Sequence, residues 1–121
     1  ITASPGAQNI TGSAGADNID TGADADDIAP GAGTDSITSG AGNDTIKGSV
    51  SDLNGDTITD LSADDTIVLT DLGKDDTPEV SFSDNNKTLQ IDTNGDGLPD
   101  VTLTLDAVPD PSLTFRPMIR L

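Results

Sequence analysis

The chain has 121 residues and a net charge of −17, from 22 acidic and 5 basic residues. It contains no Cys, His, Trp or Tyr, and every acidic residue is Asp except Glu79. The charge speaks against nucleic acid and anionic membrane surfaces as partners, the missing thiols exclude disulfides, and the Asp bias favours turns and short-range ligation over helix surfaces. Phe82 and Phe115 are the only aromatic residues, so any core is thin, and composition alone lies close to that of a disordered acidic segment. A cationic partner is called for, and a metal ion is the simplest one. No stretch approaches transmembrane length, so membrane insertion is not expected. Residues 1–30 carry no signal-peptide pattern. A start at Ile1 reads as a segment of a longer protein.

The first elements are repeats. Ile recurs at 10, 19, 28, 37 and 46, always nine residues apart. Two residues before each stand Gln8, Asp17, Asp26, Asp35 and Asp44, and two before those stand Gly6, Gly15, Asp24, Gly33 and Gly42. Each unit has a Gly/Ala/Ser-rich half, suited to tight turns, and an x-Ile-x half, suited to a short strand with its middle side chain inward. Two units make one flattened coil, so equivalent residues stack every 18 residues.

These units resemble the G-G-x-G-x-D-x-U-x nonapeptides of repeats-in-toxin (RTX) proteins. The match is strong over residues 3–47 and looser to about 68. The resemblance implies an all-β fold, a right-handed parallel β-roll whose turns bind Ca²⁺ between stacked coils through Asp carboxylates and backbone carbonyls. Carried over by position, the ligands are Asp17, Asp26, Asp35 and Asp44, with Gly15, Gly33 and Gly42 in the turns. Asp17 then pairs with the turn of Asp35, and Asp26 with that of Asp44. Gln8 lacks the charge for its site. Asp24 stands where a Gly is expected, and needs either a strained backbone or a role as an extra ligand. The alternative for each Asp is a turn-former that bonds its own backbone.

After Lys47 the residues Gly48-Ser49-Val50 break the register. Asp56-x-Ile58 and Asp65-x-Ile67 resume it, which adds Asp56 and Asp65 to the candidate ligands. Residues 56–69 resemble the stretch that follows the nonapeptides in RTX proteins, where the roll passes into an antiparallel cap. Strands are expected at 66–70, at Glu79–Ser83, at Thr88–Ile91 after the turn Asp84-Asn85-Asn86, and at Val101–Leu105. The division expected is therefore 1–68 for the roll and 69–121 for the cap.

Between the last two strands lies D-T-N-G-D-G-L-P-D, residues 92–100. Asp92, Asn94, Asp96 and Asp100 have the spacing of the first part of an EF-hand loop, but Leu103 stands at the twelfth position and strands flank it. A Ca²⁺-clipped hairpin and a metal-free Asn-Gly turn are the two readings. The proline-containing tail from Ala107 to Leu121, with Leu113, Phe115 and Met118, is expected to pack as a final cap. Phe115-Arg116 stands where an exported RTX protein would carry an Asp-Phe pair.

Hard oxygen ligands without Cys or His select Ca²⁺ over zinc or copper. The expected function is a calcium-binding module, not an enzyme. It would give a larger exported protein Ca²⁺-triggered folding, stability and passage through the type I secretion machinery, outside a Gram-negative cell. The alternative is an adhesive or surface-layer unit. The outward pairs Asn9/Thr11, Asn18/Asp20, Asp27/Ala29, Ser36/Thr38 and Thr45/Lys47 form no uniform Thr ladder and no aromatic platform, so no small-molecule or glycan ligand is evident. Asp24, Asp52, Asp60 and Asp64 are left as spare acids.

Overall fold

A computed structural model describes residues 1–3, 5–62, 64–72, 78–83, 87–105 and 119–120, with backbone only for 82, 83, 119 and 120. The expected turn at Asp84-Asn85-Asn86 and nearly all of the tail from Ala107 lie outside the described residues.

The x-Ile-x segments form short strands: β1 (Asn9–Thr11), β2 (Asn18–Asp20), β3 (Asp27–Ala29), β4 (Ser36–Thr38) and β5 (Thr45–Gly48). After the helical turn α1 (Val50–Leu53) come β6 (Thr57–Ile58), β7 (Thr66–Leu69), β8 (Glu79–Ser83), β9 (Thr88–Asp92), β10 (Val101–Leu105) and β11 (Ile119–Arg120). Odd-numbered coil strands form one sheet, in the order β1-β3-β5-β7-β11. The other sheet runs β2-β4-β6-β10-β9-β8. The chain is thus a parallel β-solenoid, a β-roll, finished by an antiparallel section.

Register places like on like. Ile10 pairs with Ile28, Ile28 with Ile46 and Ile46 with Ile67 in one sheet. Ile19 pairs with Ile37 and Ile37 with Ile58 in the other. Ile19, Ile28, Ile37, Ile46 and Ile67 are fully buried, and Ile10, in the first coil, is only partly so. Branched aliphatic side chains at a fixed coil position stack face to face between the sheets and form most of the roll's core, which Leu53, Leu61 and Leu69 complete.

The register break has a structural cause. Ser49 caps α1 by accepting from the Asp52 amide, and Asp52 in turn accepts from the Ser49 amide, a reciprocal capping box. Leu53 is carried into the core. The extra turn lengthens one coil, so the stacking step rises from 18 to 21 residues, as Ile37 beneath Ile58 shows.

The cap does not simply follow the roll. β10 lies antiparallel to β9 but parallel to β6, with Leu105 opposite Ile58. Leu105 therefore occupies the next rung of the isoleucine ladder. Leu89, Ile91, Val101, Leu103 and Leu105 are buried in the same core cluster as the roll isoleucines. Of the tail, Ile119–Arg120 is described, and it adds a parallel strand to β7.

The turns stack so closely that some positions exclude any side chain. A Cβ on Gly40, whose φ is +88, would collide with the backbone carbonyl of Gly22 in the coil beneath. Gly95 has a similar φ of +78 but open space around it. Gly40→Ala is therefore expected to cost about 3 kcal/mol, from strain plus a backbone clash, and Gly95→Ala about 1 kcal/mol, from strain alone. Urea unfolding of both variants in saturating Ca²⁺ checks the difference; equal losses would contradict the close stacking. Asp24 occupies the slot of Gly6 and Gly42 and is the sole described non-glycine with positive φ, at +88. The strained conformation anticipated for it is present.

Candidate metal centres

The two turn edges of the roll each carry a column of side chains. On one edge stand Asp17, Asp35 and Asp56; on the other stand Gln8, Asp26, Asp44 and Asp65. Within each column, Oδ1 of one Asp accepts the backbone amide of its equivalent in the coil beneath. Asp35 accepts from Asp17 at 2.8 Å and Asp56 from Asp35 at 2.8 Å. Asp26 accepts from Gln8 at 2.7 Å, Asp44 from Asp26 at 2.8 Å and Asp65 from Asp44 at 3.1 Å. The structure thus brings together the pairs Asp17/Asp35 and Asp26/Asp44.

The second oxygen behaves differently. Oδ2 of Asp26, Asp35, Asp44 and Asp56 is buried and has no hydrogen-bond partner of good geometry among the described residues, although the Ser39 hydroxyl lies close enough to Asp44 to favour its charged form. These residues are at most 3% exposed. Oδ1 of Asp27 also lacks a hydrogen bond, but it lies 2.9 Å from Lys47 Nζ, so its charge is paired. At two other rungs a serine fills the gap. Asp17 Oδ2 accepts from the amide and hydroxyl of Ser13 at 2.6 and 2.9 Å, and Asp65 Oδ2 from those of Ser62 at 2.9 and 3.1 Å.

Four buried carboxylate oxygens without a donor carry a large desolvation penalty. At Asp35, Asp44 and Asp56 the carboxyl groups register it. Burial pushes Asp56 up to about 7 from 3.8, and burial likewise raises Asp35, Asp44 and Asp65. Asp17 is lowered, chiefly by the Ser13 amide.

Among the described residues, no three acidic side chains converge as a metal cluster. The remaining oxygens at the turns are backbone carbonyls. Those of Ser13 and Gly15 lie where side chains on Gly31 and Gly33 would stand, and those of Gly22 and Asp24 where side chains on Gly40 and Gly42 would stand. The glycines therefore let the carbonyls of one coil approach the next. Each carbonyl has two lone pairs, so carboxylate plus carbonyls fit a hard, oxygen-seeking cation of high coordination number.

The spare acids acquire roles that spacing alone could not assign. Asp52 caps α1. Asp60 accepts from the Ser39 amide at 3.0 Å and the Gly40 amide at 2.7 Å. Asp24 accepts from the Gly6 amide at 3.0 Å. Asp64 is exposed. Asp71, which belongs to no repeat position, accepts from the Val50 amide at 3.1 Å.

The loop 92–100 closes on itself. Asp92 Oδ1 accepts from the amides of Asn94 and Gly95 at 3.1 and 2.7 Å, and its Oδ2 from Gly97 at 2.8 Å. Burial raises the Asp92 carboxyl, but the amides of Gly95, Gly97, Asn94 and Asp96 outweigh it and the net shift is downward. Asp100 Oδ2 accepts from the amide and hydroxyl of Thr93 at 2.9 and 2.6 Å. Asn94 Oδ1 accepts from Asp96 and Asp96 Oδ1 from Leu98, both at 2.9 Å. Asp92, Asn94, Asp96 and Asp100 thus share one small loop, with their oxygens already engaged by its amides and hydroxyl. Beside it lies a cavity of about 200 Å³, lined in part by Glu79, Ser81, Gln90 and Asp92.

Fold and columns together define a β-roll with a row of anionic, carbonyl-lined turns on each edge. Residues 2–37 and 30–52 match the model of the RTX calcium-binding nonapeptide repeat, in 4 copies. This part of the chain is therefore built of RTX calcium-binding repeats. Among the solved structures, the AlgE6R3 subunit of the Azotobacter vinelandii mannuronan C5-epimerase matches with a TM-score of 0.51 and 22% identity, over 94% of this chain and 77% of that one. That likeness bears on the fold. No curated protein matches the chain.

Proposed function

We propose that this chain is a non-enzymatic module whose roll folds as Ca²⁺ fills the spaces between its turns. It would give stability and type I export to a larger protein that works outside the cell. The observation that carries this reading is the set of partnerless buried oxygens on Asp26, Asp35, Asp44 and Asp56. A buried anion without a donor is tolerated when a cation completes it. Asp17 and Asp65 serve the end rungs, with carbonyls of the turns at Gly15, Gly33 and Gly42 and strained Asp24 alongside. Asp92, Asn94, Asp96 and Asp100 form a separate, weaker centre that would take a cation on the lone pairs its amide donors leave free.

Ca²⁺ suits these turns better than Mg²⁺, which demands a tight octahedron. Residues 1–68 form the metal-dependent part and 69–121 the end cap. Binding to the folded state alone adds stability by linkage. Without it, the stacked carboxylates repel one another. Because Ca²⁺ is scarce in the cytosol and plentiful outside, the chain would stay unfolded for export and fold on arrival. Far-UV circular dichroism tests this: β signal should be largely lost in EGTA and restored by excess Ca²⁺. A spectrum that stays fully β in EGTA would sink the proposal.

A second, adhesive reading has one observation in its favour. Ser36 pairs with Thr57, Thr57 with Thr104 and Thr104 with Thr88. They form an uncharged hydroxyl row on the outer face of the second sheet, where β10 joins the roll. A glycan array or an ice-recrystallisation assay would reveal such binding; inertness in both would leave the folding module alone.

A further inference from the structure

The chain has two Asn-Gly steps, Asn54-Gly55 and Asn94-Gly95. Such steps are chemically labile because glycine leaves its amide nitrogen unhindered. That nitrogen, once deprotonated, attacks the side-chain carbonyl carbon of the preceding Asn. A C–N bond forms to the ring, the bond to the side-chain nitrogen breaks, and ammonia leaves with the proton. Water then opens the succinimide at either carbonyl, leaving aspartate or isoaspartate. No other reactant is needed.

In the folded chain both steps are held. Gly55 donates to the Thr102 carbonyl at 2.9 Å, and Asn54 Oδ1 accepts from the Thr102 amide at 2.9 Å. The second step is held otherwise. Gly95 donates its amide to Asp92 Oδ1 at 2.7 Å, and Asn94 Oδ1 accepts from Asp96 at 2.9 Å. Both the attacking nitrogen and the attacked amide group are occupied. Asp92 is 8% exposed and is the first residue of the loop, so its carboxylate anchors the loop from within. Asn94 itself is exposed to water.

We propose that Asn94 is a spontaneous modification site gated by Asp92: it deamidates through attack by Gly95 only while the loop is open. The step would record how long a molecule has spent unfolded. It also changes the loop lastingly. Aspartate adds a negative charge among Asp92, Asp96 and Asp100, and isoaspartate lengthens the backbone by one methylene group.

The full chain is incubated folded in Ca²⁺ and unfolded in urea, at mildly alkaline pH, and both Asn-Gly steps are followed by peptide mapping with isoaspartate detection. Asn94 should convert about ten-fold or more slowly in the folded chain, since only molecules with an open loop react. In folded Asp92→Ala, conversion at Asn94 should rise toward the urea rate while Asn54, held by Thr102, stays slow. If Asn54 also accelerates, that variant has unfolded, and Asp92→Asn, with its weaker acceptor, is read instead for faster conversion at Asn94. Equal Asn94 rates in folded and urea-unfolded wild type would overturn the proposal. So would a folded Asp92 variant with the wild-type rate.

Discussion

Asp35→Asn should separate the two roles that one carboxylate plays. Oδ1 of Asp35 accepts the Asp17 amide, whereas Oδ2 is buried with no partner. Asn keeps an oxygen for the amide and removes the charge. In chelator the variant should be more stable than wild type by on the order of 1 kcal/mol, because a buried unpaired anion has gone. In Ca²⁺ the order reverses: the midpoint concentration for folding should rise by about ten-fold, since affinity follows the charge of the ligand set. Asp35→Ala loses the amide acceptor too and should cost a further 1–3 kcal/mol or so under both conditions. Asp44→Asn and Asp44→Ala should repeat the pattern on the other edge, because Asp44 holds the Asp26 amide in the same way. Calorimetric Ca²⁺ titration with urea unfolding checks all four. Asn variants with unchanged Ca²⁺ dependence would make these residues turn-formers and nothing more.

Acid should rescue the metal-free roll. Burial holds the Asp56 carboxyl at about 7 when folded, against an ordinary value of 3.8. Between those values the folded chain keeps a proton that the unfolded chain has lost. Folding without metal therefore becomes less favourable as pH rises through this window and more favourable as it falls. Asp35, Asp44 and Asp65 are shifted the same way, so the effects reinforce. Asp17 and Asp92 are lowered, and the stability they lend is lost only below 3.8. In EGTA, β signal should thus be weak at about pH 8 and recover toward about pH 5. With Ca²⁺ the sign is opposite, because protons displace the metal from its ligands. Asp56→Asn should remove the upper part of the acid rescue. If high salt at pH 8 restores the same β signal, surface repulsion rather than buried carboxyls is responsible.

The isoleucine and aspartate columns were legible because coil length and side-chain position share one period. Asp17 under Asp35 and Asp26 under Asp44 follow from counting alone, and the resumed Asp-x-Ile step carries the same columns past the break to Asp56 and Ile58. The cause of the break was not legible as a helix, although Ser49 and Asp52 have the spacing of a capping box. Nor was the entry of β10 beside β6. Thr57 and Thr104 are far apart in sequence, and no local pattern announces a parallel pairing between a roll strand and a hairpin strand. The hydroxyl row of Ser36, Thr57, Thr104 and Thr88 is invisible in the sequence for that reason. Spacing marked the Asp residues as ligands, but not that Oδ1 would serve the neighbouring coil and leave Oδ2 over. That division depends on how closely the turns stack, which the carbonyls packed against Gly33 and Gly42 determine.

The role proposed for the partnerless oxygens is cation ligation. A crystal structure grown in Ca²⁺, with anomalous data, tests it most directly. Ions should lie roughly 2.3–2.6 Å from Oδ2 of Asp26, Asp35, Asp44 and Asp56, with turn carbonyls completing each shell. The same crystals showing those four oxygens still buried, with no ion beside them, would contradict it.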